Sequence, residues 1–275
     1  MSDITLGQYF PGNSPLHKLD PRAKIILLIA FMVTIFICKN FVNLGIVALA
    51  TILLVAISKI GFKTVKKSIK PLKWIIVLTF LINLFYGSGD AIILFGKALE
   101  FGVFKITLDG IFTAIFTSVR VVLLVVSGSL LTYTTSPTAI TDAIESLLKP
   151  LKYIKIDIHS LAMIMTIALR FIPTLVEEVD KITAAQKSRG ADMDSGNLIN
   201  KIKAIVPIII PLFISSFKRA EELAYAMECR CYNGGEGRTK MKVMHLGAKD
   251  FIAFAIMVAF YSIVIITNIF VSSVI

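Results

Sequence analysis

Over the first half of the chain, long runs of apolar positions alternate with short polar breaks, and the lengths of the runs predict membrane spans rather than a soluble core. Residues 25–38 are apolar between Lys24 and Lys39, and residues 41–58 are apolar with Asn43 and Thr51 as their polar interruptions. A third run, 74–86, stops at Gly87-Ser88-Gly89-Asp90; a fourth fills 110–133; a fifth, 251–271, carries no ionisable group except Tyr261. A span needs about 20 predominantly apolar residues, fewer where flanking lysines snorkel. The first run is therefore short and leans on its lysines, whereas the fourth is long enough to cross with tilt. The mixed stretch 91–108 reads as a re-entrant, interfacial or external segment.

The pattern changes at residue 137. From there to 250 the chain reads as helices punctuated by Pro and Gly. Ser136-Pro137 supplies an N-cap followed by Pro at the first helical position, and that helix is expected to stop before Pro150. A second is expected over 158–171, running into Pro173, and a third over 174–189, with Leu175, Val179 and Ile182 on one stripe and closure at Gly190. Glu177, Glu178 and Asp180 near its start and Lys187 with Arg189 near its end match the helix dipole. Asp194-Ser195-Gly196-Asn197 opens the next element, which Pro207 and Pro211 are expected to kink or divide. A further helix is expected over 213–230, leaving through Tyr232-Asn233-Gly234-Gly235. The expected fold is all-α: a polytopic membrane protein of about five spans, with domains 1–136 (membrane), 137–250 (cytoplasmic helices) and 251–275 (last span).

Composition agrees with a bilayer. The chain is 56% apolar and 17% charged, with a mean hydropathy of +0.81, far more apolar than a soluble domain of 275 residues requires. The formal net charge of +11 is the cytoplasmic excess that orients spans, not a nucleic-acid surface. Lys18, Arg22 and Lys24 precede the first span, and Lys59, Lys63, Lys66, Lys67, Lys70 and Lys73 follow the second; both sides should be cytoplasmic. Five spans then leave the C-terminus outside and residues 137–250 inside, where they hold 16 basic and 13 acidic residues. Cys38, Cys229 and Cys231 form no even framework, so no disulfide is expected, and the N-terminus reads without a cleaved leader. His17, His159 and His245 are isolated and Cys229-x-Cys231 lacks a second ligand pair, so no metal is expected.

Two helix ends repeat one feature: Ser188-Arg189-Gly190 and Cys229-Arg230-Cys231 each set an arginine between small residues. A cation in a last turn is stabilised by the dipole, by roughly 0.3 to 1 kcal/mol, and one such arginine needs no other explanation. Two that end alike point to guanidinium groups held free for a partner's carboxylates.

These residues carry a resemblance. Gly7-Gln8-Tyr9-Phe10-Pro11-Gly12, Leu19-Asp20-Pro21-Arg22-Ala23-Lys24, Ala168-Leu169-Arg170-Phe171-Ile172-Pro173-Thr174, Gln186-Lys187-Ser188-Arg189-Gly190-Ala191-Asp192 and Ala226-Met227-Glu228-Cys229-Arg230-Cys231-Tyr232 make the chain similar to the transmembrane T component of energy-coupling factor transporters. The likeness covers almost the whole chain. It implies a non-catalytic coupling subunit of an ABC-type importer of vitamins or other micronutrients in the cell membrane, joining a substrate-binding S component to two ABC-type ATPase subunits. The family's two Ala-Arg-Gly signatures map onto 188–190 and 229–231, making Ser188, Arg189, Gly190, Cys229, Arg230 and Cys231 the expected ATPase-docking residues. Cys231 in place of Gly forgoes the easy left-handed backbone that glycine supplies. ATP is expected on the partner subunits, since no Gly-x-x-x-x-Gly-Lys-Ser/Thr loop is present; Gly234-Gly235-Glu236-Gly237-Arg238-Thr239 has neither the preceding strand nor the lysine.

Within the fourth span, Ala114, Ser118, Ser127, Gly128 and Ser129 offer a small-residue face for an S component or for internal packing. Arg120, deep in the same run, is a functional candidate or a charge paired with a backbone carbonyl. Two other functions fit a polytopic chain: a lipid- or prenyl-processing enzyme with Arg170, Glu177, Glu178 and Asp180 as its face, or a self-sufficient secondary transporter. The second would show midplane charges and a repeated half; only Arg120 is there, and no repeat is visible.

Overall fold

A computed structural model describes residues 9–85, 107–150, 157–190, 198–234 and 244–271, with the backbone alone for 198–203 and for four two-residue strands between 93 and 105. Nine helices are described: α1 (Pro21–Ile37), α2 (Phe41–Ser58), α3 (Phe62–Ile69), α4 (Lys73–Phe85), α5 (Leu108–Thr134), α6 (Pro137–Leu148), α7 (Ile158–Ser188), α8 (Leu198–Glu228) and α9 (Ala248–Phe270). A single 3₁₀ turn, Lys70–Leu72, joins α3 to α4. The mixed stretch after α4 contains two short antiparallel ladders, β1 (Ile93–Leu94) with β2 (Lys97–Ala98) and β3 (Glu100–Phe101) with β4 (Phe104–Lys105). The protein is all-α apart from these.

The chain divides into two compact units, residues 1–140 with 244–275, and residues 141–243. In the first, α5 packs against α1, α2, α3 and α4, while α9 packs against α1 and α2. Phe31, Ile35, Leu44, Val47, Phe116 and Val264 make one core, and Val55, Val65, Val126, Leu130 and Tyr133 another. The outward faces are apolar as well: Trp74 is 79% exposed and Ile269 75%. Water would penalise such a surface, but hydrocarbon is indifferent to it, and helices satisfy their interior backbone donors within themselves.

Among the described residues, five helical runs are long and apolar enough to cross a bilayer: α2, the α3–α4 run Phe62–Phe85, α5, α7 and α9. α1, with 17 residues and about 26 Å of helix against a ~30 Å hydrocarbon core, is not among them, and Lys24, expected to flank it, lies buried inside its first turn. Its start is set by Asp20, whose carboxylate caps the Arg22 amide (2.8 Å) ahead of Pro21 at the first helical position. α5 starts in the same way, the Thr107 hydroxyl accepting from the Gly110 amide at 3.0 Å. Gly110 also allows a close approach, because a Cβ there would stand 2.9 Å from the Leu84 carbonyl oxygen of α4.

Two expectations are corrected in the second unit. Pro173 does not separate two helices, and Pro207 with Pro211 does not divide the next; α7 and α8 each run unbroken for 31 residues. Pro207 and Pro211 lie four apart, so the backbone bonds they forfeit fall on one stripe of α8 and the rest of the cylinder carries it. Pro173 likewise forfeits a single bond, the one to the Leu169 carbonyl, and the neighbouring Thr174 hydroxyl donates to the Phe171 carbonyl (2.8 Å) within the same helix.

Candidate functional site

The two arginines singled out by sequence occupy the same structural position. At the end of α7, Arg189 is the C-cap, its amide bonded to the carbonyls of Ala185 (3.2 Å) and Gln186 (3.1 Å), and Gly190 follows in the left-handed region at φ +86°. The Gly190 amide donates back to Lys187 O at 3.0 Å. At the end of α8 the Cys231 amide donates to Glu228 O at 2.8 Å and the Tyr232 amide to Met227 O at 3.1 Å, the two bonds of a Schellman termination. Arg230 therefore stands where Arg189 does, with Cys231 in the place of Gly190, and Cys231 adopts φ +56° without being glycine. The second end keeps the shape of the first at a cost of about 1 to 2 kcal/mol for a side chain in that region. Ser188, Arg189, Gly190, Cys229, Arg230 and Cys231 are all exposed. The Ser188 hydroxyl is satisfied on its own helix by Ala184 O (3.0 Å). Of the neighbouring motif residues, Ala191, Asp192 and the Gly235–Thr239 loop lie outside the described residues.

Behind these tips α7 and α8 are joined. Arg219 donates to the Glu178 carboxylate (2.8 Å), Ser215 donates to the same carboxylate, and the Arg219 guanidinium lies 5.9 Å from the Phe171 ring centre. At the start of α7, Asp157 caps the Ser160 amide at 3.2 Å, and bonds from the Ser160 hydroxyl and amide hold its carboxyl below the ordinary range. His159 bonds Glu145 of α6 at 3.2 Å and is not isolated.

Residues 12–241 match the model of the cobalt transport protein (CbiQ) family. The chain belongs to that family. It is 51% identical over 264 residues to the energy-coupling factor transporter transmembrane protein EcfT of Ruminiclostridium cellulolyticum, covering 96% of this chain and 97% of the relative. The protein of the same name from Clostridium kluyveri is 48% identical over 253 residues (92% of each chain), and that from Bacillus subtilis 45% over 250 (91% and 92%). This family member is thus a transmembrane component of an energy-coupling factor transporter, as the sequence motifs implied.

The family's opening signature acquires a structural role that its residue types alone did not disclose. The Asp20 amide donates to the buried Asp250 carboxylate at the start of α9 (2.9 Å), and Arg22 donates to Met244 O (2.6 Å). Lys24 reaches the end of α5, donating to Thr134 O (3.0 Å) and the Thr135 hydroxyl (3.2 Å). Leu19–Lys24 thereby ties together the cytoplasm-predicted ends of three helices. The available signal was a lysine inside the first helical turn, next to a buried Ala23.

At the other end of the unit Arg120 resolves toward the carbonyl reading. Its guanidinium donates to Cys38 O (2.6 Å), capping the C-terminus of α1, and rests over Phe116 at 4.6 Å. Asn43, which interrupts the second apolar run, crosslinks to Asn268 of α9 (2.5 Å), and Asn268 bonds Ile37 O at 2.9 Å. Of the small residues of α5, Ala114 and Ser127 are buried within the unit and Gly128 faces Met32, so internal packing uses these three. The Ser127 and Ser129 hydroxyls bond back to Leu124 O and Val125 O, while the buried Ser118 hydroxyl has no partner among the described residues.

Proposed function

We propose that the chain is the non-catalytic coupling subunit of its transporter, and that Arg189 and Arg230 are the points at which two ABC-type ATPases are engaged. The observation that carries this is the match of the two ends: in each an exposed arginine stands one residue before a left-handed residue whose amide bonds back to the carbonyl three residues earlier. A guanidinium held on a stiff helix end meets a carboxylate bidentately and keeps its charge at any physiological pH, which suits a contact that must transmit force. ATP is bound by the partners, whose closure moves the two tips. The membrane unit passes that movement to a substrate-binding S component, which releases a vitamin or other micronutrient inside. The lysine-rich connection 59–73 and the tips face the cytoplasm, in keeping with the positive-inside bias.

The enzyme reading loses support from Glu178, the most central of its acids, which is engaged by Arg219 and Ser215. Isolation from the native membrane in mild detergent, with mass spectrometry and an ATPase assay, tests the proposal. Two ATP-binding subunits and a small membrane protein are expected to co-purify, and the chain alone to hydrolyse no ATP. A lone polypeptide with its own activity would contradict it.

A further inference from the structure

We propose that Glu178 and Arg219 form a pivot that makes the two arginine-ended helices move as one lever pair. This deepens the docking proposal and rests on its reading of the tips. Three observations converge. The first is interlocking: Ser215 and Arg219, four apart on α8, both donate to Glu178 of α7, while Phe171, seven residues before Glu178 and so on its stripe, lies under the Arg219 guanidinium. The second is symmetry. Arg189 follows Glu178 by 11 residues and Arg230 follows Arg219 by 11. Eleven residues are about 16 Å and about three turns, so the arms have equal length and each arginine returns to the stripe that holds the pivot. The third is stiffness. Pro173 precedes Glu178, and Pro207 and Pro211 precede Ser215, while 174–188 and 212–228 contain neither Pro nor Gly. Both helices can bend before the pivot, and both are uninterrupted beyond it.

A displacement at either tip is then carried to the other through a fixed point, with equal throw. Partners that close symmetrically on ATP meet two arms of matched reach. The pair is a positioning device: its side chains are 34% and 21% exposed, and ion pairs so accessible contribute little to stability. Its loss is read in geometry, not in folding.

The test is the distance distribution between nitroxides at Ala184→Cys and Ala224→Cys, both on the arms and outside the tips, in the purified complex with its ATPases. Native thiols are removed as Cys38→Ser, Cys229→Ala and Cys231→Gly. One narrow population is expected, shifting as a whole on ATP with vanadate. Glu178→Arg or Arg219→Glu alone should at least double its width, with both ATPases still bound, and Glu178→Arg with Arg219→Glu should restore it. Single reversals that leave the width unchanged, or a swap that fails to restore it, would overturn the pivot. Absence of ATPases from the unreversed protein would instead strike the docking reading, and the same comparison on the chain alone would still decide the pivot.

Discussion

A cysteine at φ +56° gives up what the glycine at φ +86° has free, yet both follow an exposed arginine and bond back to the carbonyl three residues earlier. Replacing Cys231 by Gly should therefore tighten the second end by about 1 kcal/mol, seen as about fivefold slower hydrogen exchange at the Tyr232 amide, whose bond to Met227 O closes the turn. Cys231→Val, β-branched and ill suited to positive φ, should speed it. The arginines themselves were legible from their setting between small residues at predicted helix ends. The left-handed Cys231 was not, because cysteine, unlike glycine or asparagine, does not signal that geometry, and the turn forms through the backbone bonds of Cys231 and Tyr232. Arg120 was legible as an outlier and ambiguous in role, since a carbonyl 82 positions away in sequence leaves no local trace. Arg120→Leu would orphan the Cys38 carbonyl of α1, and about 1 to 3 kcal/mol should be lost in detergent-phase thermal unfolding.

At the scale of elements, apolar run length read α1, α2, α5 and α9 to within a few residues, because lipid forces each backbone to satisfy itself and leaves hydrophobic length as the dominant variable. Proline punctuation misread α7 and α8. It treats each proline as a stop, but a proline removes one donor on one stripe, and a helix with a long run of helix-forming residues on both sides loses more by ending than by continuing. What joins the elements was also hidden: Asp20 to Asp250 and Lys24 to Thr134 are contacts over 230 and 110 positions. Asp250→Ala should remove the acceptor of both the Asp20 and Gly247 amides. The expected loss is about 2 to 3 kcal/mol, measurable as a fall of several degrees in the thermal midpoint, whereas Asp142→Ala, on α6, should change little. Gly110→Ala should be comparably costly, since the new methyl meets a backbone carbonyl of α4 that no rotamer can move.

At the scale of the whole molecule the chain is two compact units: one whose outward faces are apolar, and residues 141–243, where two 31-residue helices, the first of them itself long and apolar enough to cross a bilayer, are pinned together behind exposed cationic ends. The strongest repeated feature is a pair of exposed arginines at matching helix ends. The central claim is that those arginines hold the ATPases. Its most direct test is Arg189→Glu with Arg230→Glu, assayed for ATPase retention in a mild-detergent pull-down from membranes that contain equal amounts of each protein. The account predicts that the unmodified chain retains both ATPases and the double variant loses both while keeping its small membrane partner. Full retention of the ATPases by the double variant would contradict it.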